Sequence, residues 1–150
     1  MANSYTSLFI HTIFSTRDRE PVLTSAVRDR LWAYMGGIAR ENKIKAISIG
    51  GTLDHAHILI SIPAIIPVAK AVQLVKGGSS KWLHENISAL RKFAWQEGYG
   101  AFSIGASQVE EVVAYIARQE EHHRVRSFQE EYLSYLGAYG IEYDERYVWG

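Results

Sequence analysis

The sequence predicts an α+β domain on the ferredoxin-like, split βαβ plan: an antiparallel sheet with helices on one face and the strand around His55 and His57 at its centre. Three observations predict it. Apolar periodicities follow one another in the order strand, helix, strand, strand, helix, strand. The run Asp54-His55-Ala56-His57-Ile58-Leu59-Ile60-Ser61-Ile62-Pro63 alternates like a half-buried strand, with Ala56, Ile58, Ile60 and Ile62 on a core face and His55, His57, Leu59 and Ser61 opposite. No repeat, low-complexity run or linker divides the chain, so residues 1–150 read as one domain, long enough to bury a core without staples.

Tyr5 to Phe14, aromatic and β-branched, reads as the first strand, ended by the polar stretch Ser15 to Pro21. Thr24 is placed to cap a helix whose apolar Val27, Leu31, Met35 and Ile38 share one side. Ile44 to Ile49 is the second strand, and Gly50 to Asp54 makes the loop of a hairpin into the histidine strand. Pro67 suits the first turn of a second helix with Val68, Val72 and Val75 along one side. Gly77-Gly78 interrupts it, predicting a kink or break before Trp82-Leu83 resumes the pattern. Tyr99 to Ile104 is a fourth strand, and Ser107 with Glu110 forms a capping box for a helix running to about Glu121. Such a plan buries one sheet face and leaves the histidine face free.

Composition excludes several classes. With no cysteine there is neither a disulfide framework nor a thiolate zinc site, and a reducing cytoplasm is the expected home. No apolar run is long enough for a membrane span, and Met1-Ala2-Asn3-Ser4 lacks the character of a signal peptide. Net charge is zero, yet it is unevenly spread. Lys70, Lys76, Lys81, Arg91 and Lys92 face the single acid Glu85 in the middle of the chain, while Glu130, Glu131, Glu142, Asp144 and Glu145 face only Arg146 toward its end. A basic middle and an acidic tail cancel in the sum and still leave a surface for a polyanion; an ordinary solvated helix face reads the same way.

Two constellations carry chemistry. Alternate strand positions put the imidazoles of His55 and His57 side by side, at a spacing where one cation is held by both rings. Two structural histidines on a half-exposed strand would look alike. On the helix after Ser107, Val109, Val112, Val113 and Ile116 form the apolar stripe, and Tyr115 and Gln119, four apart, project together beside it, continued by Glu111 and His122. Boundary packing alone would account for the tyrosine. His11, His84 and His123 fall in no motif.

Taken together, His55-Ala56-His57 on one strand and Tyr115-Ile116-Ala117-Arg118-Gln119 on a later helix resemble the single-tyrosine HUH transposases of small bacterial insertion sequences, including the REP-associated type. The tail His122-His123-Arg124-Val125-Arg126-Ser127-Phe128-Gln129-Glu130-Glu131 is similar to that family as well. The resemblance implies that His55, His57 and Gln119 hold a divalent metal, Mg²⁺ or Mn²⁺, and that Tyr115 attacks DNA to form a 5′-phosphotyrosine. It also implies single-stranded DNA with a hairpin as partner, and a homodimer whose active sites are shared between subunits. Small Ala56 stands where a bulkier apolar residue is common in the family. Imidazole ligands suit Mn²⁺ better than Mg²⁺.

For DNA contact, the stretch containing Lys76, Lys81, Trp82, Arg91, Lys92 and Trp95 supplies cations and stacking surfaces, although Trp82 and Trp95 are also credible core residues. Arg17 and Arg19 occupy the loop after the first strand, where family members commonly touch DNA. The aromatic tail from Phe128 through Tyr132, Tyr135, Leu136 and Tyr139 offers either a dimer interface or a surface that folds back on its own subunit. Two other functions remain: a non-catalytic single-stranded nucleic-acid-binding module, and a histidine-triad nucleotide hydrolase, which needs a third alternating histidine where Leu59 stands.

Overall fold

A computed structural model describes residues 3–150; Met1 and Ala2, part of the N-terminal stretch read above, lie outside the described residues. The elements are β1 (Phe9–Ser15), α1 (Ser25–Glu41), β2 (Lys45–Gly51), β3 (His55–Ser61), α2 (Val68–Asn86), β4 (Gly100–Ile104), α3 (Val109–Ala117), α4 (Gln119–His122) and α5 (Phe128–Ala138), with single 3₁₀ turns at Arg17–Arg19, Ser88–Leu90 and Ala106–Gln108. The four strands form one antiparallel sheet in the order β2-β3-β1-β4, so β3 lies inside the sheet as the alternation required. None of the described helices is long and apolar enough to cross a membrane.

One face of the sheet carries the main core. Ile10 and Phe14 from β1 and Ala56, Ile58 and Ile60 from β3 pack on Leu31, Met35 and Ala39 of α1 and Ala71, Val75 and Leu83 of α2. Apolar burial at about 25 cal/mol per Å² makes this layer the principal source of stability. Trp95 belongs to it, 5% exposed, its indole donating to Ser79 Oγ. Gly77-Gly78 does not break α2. Gly78 faces α1 so closely that a Cβ there would lie 2.7 Å from Ile38 Cδ1, and helix–helix packing outweighs the cost of about 1 kcal/mol per glycine.

The opposite face is not free, contrary to the expectation from the four-strand plan. Ile13 and Phe102 on that face pack with Phe128, Tyr132 and Leu136 of α5, making a second core, while α3 lies along β2 and β3. Gly50, paired with His57, makes that approach possible: a Cβ on Gly50 would sit 2.8 Å from the Ile116 carbonyl oxygen. The tail thus folds back on its own chain. It turns a two-layer plan into three layers with the histidines in the middle.

Several boundaries move for local reasons. β1 starts at Phe9, leaving Tyr5 exposed, and the hairpin loop shortens to Thr52–Asp54 because β2 runs on through Gly51. Thr24 occupies the N-cap of α1 without a side-chain capping bond, and no Ser107 box forms; Gln108 Oε1 instead accepts from the Gly105 N–H. The helix expected to reach Glu121 breaks at Arg118, with φ −106° and ψ 23°, into α3 and α4. The capping box that does form is Ser127 with Glu130, at the start of α5.

Gly50→Val is expected to lower stability by about 1–3 kcal/mol in urea unfolding, because the added carbons meet α3 backbone. Gly77→Ala, at an exposed helix position with open space around it, is expected to raise stability by about 0.5–1 kcal/mol.

Candidate active site and metal centre

Alternation along β3 sends the His55 and His57 rings into the layer beneath α3, α4 and α5, where both are fully buried. β1 contributes a third imidazole: the β1–β3 register pairs Ile13 with His57 and His11 with Leu59, so His11 is a same-face diagonal neighbour of His57. His11 Nε2 lies 2.8 Å from His57 Nδ1. The break at Arg118 lets Gln119 turn inward, 1% exposed, with Oε1 3.0 Å from His55 Nε2. Tyr115 lies beside them, its ring centroid 5.8 Å from that of His57. The structure therefore brings together, within one chain, Tyr115, Gln119, His55 and His57.

Besides His11, it adds two further residues that sequence reasoning missed. Glu131, on α5 and 1% exposed, directs Oε1 at three imidazole nitrogens: His57 Nε2 at 2.8 Å, His123 Nε2 at 3.2 Å and His55 Nε2 at 3.6 Å. Its other oxygen accepts from the Tyr115 hydroxyl and, at 3.4 Å, from Gln119 Nε2. His123, to which no motif assigned a role, completes the group. Signals existed for both: His123 is four residues past Gln119, and Glu131 is a carboxylate on the otherwise apolar stripe of Phe128, Tyr132, Tyr135 and Leu136.

Electrostatics follow from the burial. Desolvation lowers the His57 pKa to about 4 despite the opposing pull of Glu131, and lowers that of His11 to about 3, with the His57 charge adding to the effect. Burial works against the Glu131 charge, but the imidazoles of His123 and His57 beside it hold its carboxyl well below the usual range. Burial pushes the Tyr115 phenol up, and the hydrogen bond to Glu131 and its negative charge push it further, so the hydroxyl keeps its proton in this arrangement.

The ring orientations fit a cation. Asp54 Oδ1, 2.7 Å away, takes the His55 Nδ1–H, which turns the Nε2 lone pair inward. Gln119 donates its amide N–H to Glu131, so its carbonyl oxygen faces that lone pair. Two acceptors face each other across 3.0 Å, the disposition of two ligands around one ion. His123 Nε2, buried, has no hydrogen-bond partner among the described residues. His55, His57, His123 and Glu131 offer ligand atoms all within 4.8 Å of one another.

The expected DNA contacts separate. Arg17 and Lys92 line one cleft of about 250 Å³ beyond the end of β1, and Arg91 is exposed nearby in sequence. Arg19 lies over the Trp149 ring, 5.5 Å from its centroid. Lys76 is committed within the fold: its ammonium donates to the carbonyls of Gln96, Glu97 and Gly98 at 2.6, 3.1 and 2.8 Å, and desolvation lowers its pKa to about 8. Lys81 is exposed on α2, and Trp82 stacks on Tyr34 of α1, across the sheet from the histidines. Leu59, in the position a third alternating histidine would take, is fully buried. A separate cleft of about 680 Å³, lined by Arg28, Asp54, Glu120, His123 and Arg126, opens beside the histidine cluster.

Comparisons with known proteins bear on the fold and the family. No curated protein matches the chain. A solved structure from Deinococcus radiodurans, named as a candidate transposase, superposes with a TM-score of 0.66 at 22% identity, covering 79% of this chain and 96% of that one. The REP-associated tyrosine transposase bound to a REP hairpin superposes with a TM-score of 0.61 at 14% identity, covering 82% and 73%. At such identities the likeness is one of fold. The family model described as "Transposase IS200 like" matches residues 4–119, from before β1 to Gln119, and the chain belongs to that family of DNA transposases.

Proposed function

We propose that the protein is a metal-dependent transposase that cleaves and rejoins single-stranded DNA at hairpin-bearing ends through a 5′-phosphotyrosine on Tyr115, acting in the cytoplasm. The observation that carries the reading is the placement of Tyr115 beside His57, ring centroids 5.8 Å apart, in a chain of the IS200-like family. The hairpin is taken from the REP-associated transposase, which shares the fold and whose structure holds one.

A phosphodiester resists attack because its charged oxygens repel a nucleophile. A divalent cation, Mg²⁺ or Mn²⁺, held by His55, His57 and Gln119 would polarise a non-bridging oxygen and offset charge in the transition state. The Tyr115 oxygen forms the new bond to phosphorus as the bond to the 3′ oxygen breaks; the phenolic proton is lost and the 3′ oxygen leaves as a hydroxyl. Because the phosphotyrosine keeps the ester bond, a 3′-hydroxyl from another strand can reverse the step and exchange strands without ATP. A phosphate cannot share this buried space with Glu131, so α5 has to withdraw as DNA enters. Arg17, Lys92 and Arg91 are the proposed phosphate contacts in the loops, with Arg19, Lys81 and Trp82 as further candidates; Lys76 is assigned to the fold instead.

Every site residue comes from one chain, and the homodimer with shared sites that the resemblance implies would require exchange of α3 about Gly105. The proposal is a site complete in each subunit. Tyr115→Phe is expected to bind single-stranded DNA normally and form no adduct, and His57→Ala to lose cleavage by a factor of at least about 10². Mixing the two variants is expected to restore nothing; restored cleavage on mixing would establish the exchanged arrangement. The native protein should trap covalently on single-stranded hairpin DNA in Mn²⁺ and not on the same sequence fully paired. Binding without any adduct would leave a non-catalytic binding module, and nucleotide hydrolysis without DNA would point to a hydrolase.

A further inference from the structure

We infer that Glu131 and His123 are metal ligands that this chain adds to its histidine pair, forming with His55 and His57 a closed three-imidazole, one-carboxylate site for a transition-metal dication of the Zn²⁺ or Co²⁺ class. The inference deepens the reading above, since it concerns the same histidine pair, with Glu131 and His123 closing the site while α5 is seated and Gln119 serving once α5 withdraws, and it names residues lying beyond the stretch matched by the family, which ends at Gln119.

Four features point to it. The four ligand atoms converge within 4.8 Å, and the Glu131 Oε1 distances to the three Nε2 atoms, 2.8, 3.2 and 3.6 Å, straddle the edge of about 3.4 Å between ligands of a tetrahedral ion with bonds near 2.1 Å. The His123 side chain is 10% exposed and its Nε2, 3.2 Å from Glu131 Oε1 but outside hydrogen-bond geometry, has no hydrogen-bond partner among the described residues. Such an atom is usually satisfied, and a cation satisfies it. The outer nitrogens of both strand histidines are engaged, His55 by Asp54 and His57 by His11, as metal-ligating imidazoles commonly are. Finally, the donor set is three imidazoles and one carboxylate. That set favours Zn²⁺, Co²⁺ or Mn²⁺ over Mg²⁺, which prefers oxygen ligands and retained water.

The consequence is mechanical. Glu131 lies on α5, His123 between α4 and α5, and the other two ligands on β3, so the ion fastens the C-terminal helix onto the sheet. Glu131 would do this while its second oxygen holds the Tyr115 hydroxyl, joining the cation and the nucleophile through one carboxylate.

The test uses the full chain stripped of metal, titrated with Co²⁺ and competed with Zn²⁺. Native protein should develop the intense visible bands of four-coordinate cobalt, and added Zn²⁺ should slow amide exchange in α5. Glu131→Gln and His123→Ala should each weaken Co²⁺ binding at least about tenfold, change the bands and abolish the slowing, whereas Gln119→Ala should keep the bands. Circular dichroism establishes which variants are folded; His123→Ala, at the edge of the cluster, carries the test should Glu131→Gln unfold. Native-like cobalt affinity and spectrum in a folded His123→Ala or Glu131→Gln protein, or loss of the bands in Gln119→Ala alone, would overturn the inference. Tyr115 adducts formed in Mn²⁺ by variants whose cobalt binding is unchanged would sink it while leaving the proposed activity standing. The cobalt signature in a protein that never forms an adduct would do the reverse.

Discussion

A carboxylate buried to 1% exposure survives only if its charge is met, and in this protein the Glu131 carboxylate is met by three imidazoles and a tyrosine hydroxyl. The arrangement of the histidine face depends on that contact. It draws α5 across the sheet, places a second apolar core around Phe102, Phe128 and Leu136, and orders the α4 turn that carries His123. The partners lie on β3, α3 and the turn between α4 and α5, so the contact ties those segments to α5. Removing one partner would leave charge or lone pairs buried without compensation, which is why such clusters are strained unless a proton or a cation sits among them.

The sheet makes the convergence possible. Antiparallel pairing in the order β2-β3-β1-β4 puts β3 and β1 side by side in the interior, and the pleat sends His11, His55 and His57 to the same face. Gly50 lets α3 approach that face closely enough for Tyr115 and Gln119 to reach it. Asp54 and His11 then fix ring orientation from behind. A strand–helix–strand scaffold of ordinary packing energy thereby holds these polar side chains in one small volume, while the α1–α2 layer on the far side supplies the burial that supports it.

Much of this was legible in the chain. Period-two alternation in His55 to Ser61 identified the central strand and its two faces, and four-residue spacing paired Tyr115 with Gln119. What alternation along one strand cannot show is register between strands, so His11 could not be placed against His57. The pattern of four strands and two helices implied an open face because the amphipathic tail had two possible destinations, a partner or its own sheet. Its own sheet won, since Phe128, Tyr132 and Leu136 match the apolar residues Ile13 and Phe102. The Gly77-Gly78 break failed for a related reason: local propensity is a small quantity beside tertiary packing. Ser127 and Glu130 carried a readable helix start that marks α5, and Glu131 stood on its apolar stripe as the one charge without an obvious place.

The central claim is that the histidine face of the sheet and the turn between α4 and α5 direct the Nε2 atoms of His55, His57 and His123 onto one point. Nitrogen-15 spectra of the histidine rings, recorded as Zn²⁺ is added to the full chain, test it most directly. The account predicts that these three Nε2 resonances shift together to metal-bound positions at one equivalent, that the Nδ1 protons facing Asp54 and His11 persist, and that His84, bonded to the Phe93 carbonyl on the other side of the molecule, does not respond. Ligation through Nδ1, or a His123 ring that stays unperturbed while His55 and His57 bind, would contradict it.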